Sequence, residues 1–325
     1  MKKVLASIVA ALAVSAAAPA FAADMPVKAV KAPVVAVPSP WDIGFGAAVM
    51  SDYVWRGVTQ SGHQPSVAAY FEPRYNILPN LQAYVGVSGE SIKFANNAAA
   101  EIDFYGGIRP TFGPLAFDIG FWYYYYPGGQ CYGTGPSQSL DAGCIPGGIA
   151  INGNVAKADA SFYEVYGKVA YTIGDWALGA NEYYSPNFLN TGAWGNYASG
   201  TVKYTAPSAY ALGEVGWYVS GEFGHQWLGT SDPFYGVIGF ENGIDYKDYN
   251  TWNVGLGFTW KVFTLDLRYS DTDMNKGDCN AFTSDPTATG TGNVTSINPG
   301  GAGSSWCGAT FIAKLSADLT LGSLK

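Results

Sequence analysis

The stretch from Trp41 to Gln60 alternates between two kinds of side chain, with apolar residues on one parity and mostly small or charged residues on the other. Successive side chains of a β-strand point to opposite faces, so the pattern predicts one long strand with an apolar face. Its length exceeds the ~9–11 residues that a tilted strand needs to cross a bilayer. Aromatic residues stand at both ends of the apolar face, Trp41 at one end and Tyr53 with Trp55 at the other. This arrangement is typical of a strand that faces lipid.

The same alternation returns along the rest of the chain and predicts further strands. They are expected around 66–75, 81–91, 101–109, 115–124, 161–173, 176–185, 199–206, 214–226, 249–260, 263–271 and 311–321. The connections between the strands alternate in length, and the longer ones follow the odd-numbered strands. Outer-membrane barrels have short periplasmic turns and longer external loops. The sequence therefore predicts an all-β fold, a transmembrane antiparallel up-and-down β-barrel of about 12 strands, and a missed or spurious hairpin would change that count by two.

The first residues of the chain predict export. Lys2 and Lys3 precede a short apolar segment, and Ala20-Phe21-Ala22 fits a signal-peptidase site. No later segment has the ~20 apolar residues of a spanning helix, although 48% of the chain is hydrophobic and 15% aromatic. An exported chain this apolar must bury its surface in a core or expose it to lipid as a barrel. We expect a signal peptide at 1–22, a Pro/Ala/Val-rich tail at 23–40 and an outer-membrane barrel at 41–325.

The net charge and the four cysteines restrict which ligands the protein can be expected to bind. The formal net charge of −8 argues against a nucleic-acid partner. In an oxidising compartment, four cysteines more often form disulfides than metal sites. Of the three pairings that four cysteines allow, we expect the local ones, Cys131–Cys144 and Cys279–Cys307. The sequence indicates no cofactor.

The segment Ser51–Ser61, SDYVWRGVTQS, resembles the signature of the TorF-type porins. These proteobacterial outer-membrane proteins begin with a strand of the form S-x-Y-x-(aromatic)-R-G-(apolar)-(S/T)-Q. The agreement covers these eleven residues, and the barrel pattern after them is compatible with the family. The resemblance implies a channel in the outer membrane.

The inward parity of the predicted strands carries most of the charge of the chain. The residues expected to line the lumen are Asp52, Arg56, Glu72, Arg74, Glu101, Asp103, Arg109, Asp118, Glu164, Lys168, Asp266, Arg268 and Lys314. Such residues set selectivity in an open pore. Alternatively, they pair into a network that fills a closed lumen, because twelve strands lie between side-chain-filled and water-filled barrels. We expect a passive, weakly cation-preferring porin for small polar or ionic solutes, with a closed structural or adhesive barrel as the alternative.

Two other kinds of site have partial signals in the sequence, a catalytic site at the rim and a calcium loop, and in both places loop residues without a chemical role are the alternative. His63 or His225 could form an enzymatic site at the rim with Ser61 or Asp232, but the chain has no G-x-S-x-G motif. The acidic run 271–278 begins like a calcium loop, yet Lys276 and Phe282 replace the glycine and glutamate that such a loop needs. We expect a protein that is not an enzyme and holds no metal. Its expected partners are outer-membrane lipid and small polar or ionic solutes. The sequence is compatible with either a monomer or a homo-oligomer.

Overall fold

A computed structural model describes residues 40–131, 155–237 and 239–324. Twelve of its strands form one closed antiparallel barrel, in which each strand pairs with its neighbours in sequence and the last pairs with the first. The barrel strands are β1 (Trp41–Met50), β4 (Ser66–Leu78), β5 (Leu81–Glu90), β6 (Glu101–Phe112), β7 (Leu115–Tyr125), β8 (Phe162–Ile173), β9 (Trp176–Ser185), β10 (Gly195–Thr205), β11 (Gly216–Leu228), β12 (Tyr249–Trp260), β13 (Phe263–Thr272) and β14 (Thr310–Thr320). Two short strands, β2 (Val54–Trp55) and β3 (Val58–Thr59), form a separate hairpin. The predicted fold class is confirmed.

The outer wall of the barrel is apolar all the way round. Each of the twelve strands contributes at least one exposed apolar side chain, namely Val49, Val67, Val85, Phe104, Ile119, Val165, Leu178, Val202, Val219, Val254, Leu265 and Leu315. Exposed aromatic residues flank this band at both ends, Trp41, Tyr75, Phe112, Trp176, Trp260 and Phe263 at one and Tyr125, Tyr163, Tyr184, Trp227 and Phe311 at the other. A closed barrel leaves no strand edge unpaired in lipid. An apolar band between two aromatic girdles is the outer surface of a bacterial outer-membrane protein.

The two ends of the barrel differ in their connections. Tight turns join four of the strand pairs at one end, which we call the turn end; Gly113 and Gly174 adopt positive φ there, at 60° and 58°. The fifth connection at this end, 206–215, is longer than the sequence suggested and contains a 3₁₀ turn, Ser208–Tyr210. The connections at the other end, the long-loop end, include 51–65, 186–194, 229–248 and 273–309.

The prediction of one strand from Trp41 beyond Trp55 was wrong. The first barrel strand ends at Met50, and the chain then folds into the barrel as the β2–β3 hairpin. Its two turn residues, Arg56 and Gly57, both have positive φ, 49° and 77°. This is the conformation of a two-residue type I′ turn, which matches the twist of hairpin strands. Tyr53 and Trp55 therefore lie inside the barrel and form no lipid-facing girdle.

Several long loops pack together over the hairpin at the long-loop end. Their buried apolar cluster comprises Val58, Ala98, Tyr124, Tyr126, Phe162, Phe188, Ala193, Leu228, Ile244, Tyr246, Tyr249, Cys279, Trp306 and Cys307. Within it, Phe188 stacks on Trp55 and on Phe282, with ring centroids 5.8 Å and 6.2 Å apart. The cluster joins all six connections of the long-loop end into one packed layer.

The loop before the last strand contains the helix α1 (Lys276–Thr283), which begins after the N-cap residue Asn275. The side chain of Asn275 accepts hydrogen bonds from the backbone N–H groups of Gly277 and Asp278, so the run 271–278 ends a strand and starts a helix instead of forming the expected solvated acidic loop. The helix carries the predicted disulfide Cys279–Cys307. In the other predicted pair, Cys131–Cys144, Cys131 is disulfide-bonded and Cys144 lies outside the described residues. No helix within the described ranges is long and apolar enough to span a membrane.

Candidate functional site

The Val54–Thr59 hairpin, called the lumen hairpin below, carries an arginine to the middle of a polar network. Arg56 donates from Nη1 to Glu164 Oε1 at 2.8 Å and from Nη2 to Glu164 Oε2 at 2.7 Å. A third hydrogen bond, 3.1 Å long, joins Nη1 to Gln226 Oε1. The Arg56 and Glu164 side chains are only 4% and 0% exposed. Paired, parallel hydrogen bonds between charged groups are among the strongest polar contacts in proteins.

Aromatic rings surround the same guanidinium. Its carbon lies 4.0 Å from the ring centroid of Trp55, 4.8 Å from that of Tyr183 and 4.5 Å from that of Tyr197. Cations are attracted to the electron-rich faces of such rings, most strongly where water is excluded. Burial has the largest single effect on the pKa of Arg56 and lowers it, but the charge of Glu164, its hydrogen bond to Arg56 and the nearby Tyr124 and Tyr183 together hold that pKa above its ordinary value. The arginine therefore stays charged within the network.

The tip of the lumen hairpin rests against the barrel wall at β12 and β13. A Cβ atom on Gly57 would lie 2.3 Å from Thr272 Cγ2 and 2.6 Å from Thr251 Oγ1. These threonines stand at the long-loop ends of β13 and β12, whereas Glu164 is on β8 and Gln226 on β11. The hairpin thus contacts four strands on different sides of the barrel. Only glycine fits at position 57, because a Cβ there would collide with the threonines and the positive φ would strain any other residue.

Asp52 binds three residues of the segment that follows the hairpin turn. Its carboxylate accepts hydrogen bonds from Thr59 Oγ1 at 2.5 Å and from Ser61 Oγ at 2.9 Å, and it contacts His63 Nδ1 at 2.7 Å. The hydrogen bond to Asp52 raises the pKa of His63, although partial burial opposes the shift. The other ring nitrogen of His63 lies 3.2 Å from the carbonyl oxygen of Ser305.

The residues of the candidate enzymatic site at the rim bind other partners in the structure. Ser61 and His63 both bind Asp52, so no hydroxyl–imidazole hydrogen bond of the kind that activates a serine is formed between them. His225 contacts Asn250 Oδ1 at 2.8 Å, and Asp232 pairs with Lys157. The structure gives these residues roles in holding loops.

A second ion-pair network lines the wall of β4, β6 and β7. Arg109 donates to Glu72 at 2.7 Å and 3.2 Å and to Asp118 at 3.3 Å, and its guanidinium lies 3.5 Å from the ring centroid of Tyr84. Arg74 joins the network through Glu72, at 2.6 Å. Lys168, which is opposite Asp118 in the strand register, sits over the rings of Tyr166 and Tyr183, at 4.6 Å and 5.4 Å.

A third network, on β11–β14, retains more contact with solvent. Arg268 donates to Asp266 at 3.0 Å, to Asn253 at 2.5 Å and to Ser220 at 2.8 Å. The side chains of Arg268 and Asp266 are 23% and 14% exposed, in contrast to the near-complete burial of Arg56. Lys314 faces Asp266 across the β13–β14 register. The remaining two predicted lumen residues, Glu101 and Asp103, belong to a separate group of carboxylates at the long-loop end of β6.

Comparison with known proteins places the chain in a family. The model of a family described as "Bacterial protein of unknown function (Gcw_chp)" matches residues 35–297. The chain belongs to the Gcw_chp family. No curated protein matches the sequence.

Solved structures resemble this Gcw_chp barrel only distantly. An outer-membrane channel from Pseudomonas putida F1 is 12% identical with a TM-score of 0.45, and the match covers 88% of this chain and 97% of that one. The NanC porin is 9% identical with a TM-score of 0.39, over 86% and 100% of the two chains. LpxR from Salmonella typhimurium is 9% identical with a TM-score of 0.37, over 85% and 99%. Likenesses this remote carry no argument about function.

The charged residues that the sequence pattern predicts in the lumen take part in these networks, but the pattern missed the aromatic and amide groups that hold Arg56. The pattern predicts that Trp55 faces lipid and indicates no role for Tyr183, Tyr197 and Gln226. Strand parity could have indicated Tyr183, Tyr197 and Gln226, because polar residues that alternate with apolar ones along a barrel strand face the lumen.

Proposed function

We propose that the protein is an outer-membrane channel for small polar or ionic solutes, and that the lumen hairpin limits its opening. The observation that carries the proposal is the Arg56–Glu164 ion pair, which fixes a loop-borne hairpin across a lumen lined with charge. The hairpin is continuous with the chain only at its two ends, and noncovalent contacts hold its tip. Such an element can be displaced without breaking the strand ladder of the barrel.

The charges of the lumen fit the movement of polar solutes. Partly exposed charged side chains, including Arg74 and Arg268 at 21% and 23%, continue beyond the buried Arg56 network. Charged rings along a pore determine which ions pass. Carboxylates outnumber cations among the inward-facing residues, so we propose a weak preference for cations. On the general pattern of outer-membrane barrels, the turn end faces the periplasm and the long-loop end faces outward.

A closed structural barrel is the second candidate, and one observation favours it. Arg56, Glu164, Arg109 and Glu72 are all nearly inaccessible to solvent, as in a narrow barrel whose interior is filled by side chains. The experiment that separates the candidates is recording of purified full-length protein in a planar bilayer. A channel gives discrete current steps above the empty-bilayer baseline, whereas a closed barrel gives none under any applied voltage or salt.

Two further expectations belong to this proposal. The SDYVWRGVTQS segment supports grouping the protein with the TorF-type porins. The leader pattern supports export with removal of residues 1–22. N-terminal sequencing of the protein from outer membranes tests the second expectation, and a mature chain that retains Lys2 and Lys3 would contradict it.

A further inference from the structure

Three carboxylates come together at the long-loop end of β5 and β6. One oxygen from each of Glu90, Glu101 and Asp103 lies within 4.8 Å of the others. The β5–β6 register places Glu90 directly opposite Glu101 and Asp103 opposite Ser88. Glu101 and Asp103 are 2% and 3% exposed, and Glu90 is half-buried. Three acidic groups thus share one small, mostly dry space.

The protein supplies few hydrogen-bond donors to this group. Tyr53 donates to Glu101 Oε1 at 2.6 Å, Tyr126 donates to Glu101 Oε2 at 2.9 Å, and Ser88 donates to Asp103 Oδ2 at 3.1 Å. Two further oxygens, Asp103 Oδ1 and Glu90 Oε2, are buried without a hydrogen-bond partner. Buried polar atoms are nearly always paired, and an unpaired carboxylate oxygen is costly.

The two most buried arginines of the lumen are engaged elsewhere, Arg56 with Glu164 and Arg109 with Glu72 and Asp118. Lys314 is the cation whose charge acts on Glu90. The donors to Glu101 and Asp103 described above are neutral hydroxyls, and the indole N–H of Trp122, which also acts on Asp103, is neutral as well. The group therefore has more acidic oxygens than the surrounding donors satisfy, which is the situation that a bound metal cation resolves.

We propose that Glu90, Glu101 and Asp103 bind a divalent cation, and that the cation is Ca²⁺. Carboxylate and other hard oxygens are the ligands that Ca²⁺ and Mg²⁺ take in proteins. The three oxygens lie within 4.8 Å of one another, close enough to share one ion. We choose Ca²⁺ because it accepts irregular sets of six to eight oxygen ligands, whereas Mg²⁺ demands a near-ideal octahedron at about 2.0–2.1 Å. The half-buried Glu90 leaves a side on which solvent completes the coordination. This site is separate from the acidic run 271–278, whose sequence begins like a calcium loop.

The proposed site has a consequence for the loops at this end. Tyr53 precedes the lumen hairpin, and Tyr126 begins the loop after β7; both hydroxyls bind Glu101. A cation that fixes the Glu101 carboxylate also fixes the acceptor for both tyrosines. Ca²⁺ therefore links the first limb of the hairpin to the barrel wall.

The test is direct binding of Ca²⁺ to the purified full-length protein in detergent after treatment with EDTA. Titration calorimetry measures Ca²⁺ itself, and luminescent Tb³⁺, a Ca²⁺ substitute excited through the nearby Tyr53 and Tyr126, reports on the location. We expect one Ca²⁺ per chain, displacement of Tb³⁺ by Ca²⁺, and at least tenfold weaker competition by Mg²⁺. The Glu101→Gln/Asp103→Asn double variant should weaken Ca²⁺ binding at least tenfold.

Glu241→Gln is the matched control, because Glu241 is an exposed carboxylate in another loop of the long-loop end. Ca²⁺ binding by this variant should equal that of the unaltered protein. Heat-modifiable migration on gels confirms that each variant is a folded barrel, and single replacements serve if the double variant does not fold. Absence of Ca²⁺ binding, unchanged binding by the cluster variants, or equal competition by Mg²⁺ would overturn the proposal. None of these measurements requires conduction, so their outcome is independent of the proposed channel activity.

Discussion

Arg56 and Glu164 are 108 residues apart in the sequence, yet they form a two-pronged ion pair inside the barrel, with N–O distances of 2.8 and 2.7 Å. Arg56 comes from a hairpin turn and Glu164 from the barrel wall. The pair therefore connects the lumen hairpin to the barrel wall. Because both side chains are buried, loss of either partner leaves an uncompensated charge.

Removing one partner of this pair should release the lumen hairpin while the barrel stays folded. We predict that Glu164→Gln weakens docking of the hairpin by about 3–5 kcal/mol, the usual cost of breaking a buried pair. Trypsin cleaves after arginine, so the Arg56–Gly57 bond becomes a reporter. The bond should resist trypsin in the unaltered protein and be cut in the variant.

Glu214→Gln is the control for this experiment. Glu214 lies at the turn end, where it accepts a hydrogen bond from Trp260 Nε1 at 3.3 Å, far along the chain from the hairpin contacts. Its replacement should leave the Arg56–Gly57 bond protected. Equal protection of that bond in Glu164→Gln would show that the ion pair does not hold the hairpin.

The stability of the loop that follows the lumen hairpin should depend on pH through His63. The hydrogen bond to Asp52 raises the His63 pKa in the folded loop, so the protonated ring stabilises the loop. This stabilisation is fully present below the ordinary histidine pKa of about 6.5. It disappears as the pH rises through the raised pKa of the folded state. Trypsin protection near the hairpin should therefore decline modestly as pH increases above about 6.5, and His63→Gln should remove this dependence. Protection that increases with pH would have the wrong sign.

Selectivity provides a test of the lumen charges. Asp266 and Arg268 belong to the more solvent-accessible network, so their charges act on passing ions. Asp266→Asn should reduce the preference for cations, and Arg268→Gln should increase it, both measured as reversal potentials across a salt gradient. The differences should shrink at 1 M salt, where the Debye length is about 3 Å. An anion preference at low salt would contradict the assignment of carboxylates as the controlling charges.

The barrel could be predicted from the sequence because its strands obey a single local rule. Apolar residues such as Val85 and Val254 face lipid, and their neighbours face the lumen, so alternation alone identifies the strands. The lumen hairpin could not be found this way. A two-residue turn at Arg56-Gly57 preserves the alternation, and tertiary contacts, among them those with Glu164 and Phe188, hold this segment inside the barrel.

The candidate sites were predictable in part for a related reason. Strand parity placed Glu101 and Asp103 in the lumen, but their approach to Glu90 depends on the β5–β6 register. That register is fixed by the loop between the strands and by cross-strand packing, which alternation does not encode. The same limit applies to the cage of Trp55, Tyr183 and Tyr197 around Arg56.

Gly57 offers the sharpest perturbation of the hairpin, with a matched control elsewhere in the chain. A methyl group at Gly57 would collide with Thr272 and Thr251, whereas one at Gly113, which also has positive φ, would meet no atom within 4 Å. Both alanine variants bear the same backbone strain, of order 1–3 kcal/mol. Only Gly57→Ala should displace the hairpin.

The most direct test of the account is therefore the single-channel conductance of Gly57→Ala, beside Gly113→Ala and the unaltered protein, in a planar bilayer. If the hairpin limits the lumen, Gly57→Ala should show larger current steps or a higher open fraction, and Gly113→Ala should match the unaltered protein. Identical conductance in all three proteins would contradict control by the hairpin. The absence of current steps in all three would contradict the channel itself and favour the closed barrel.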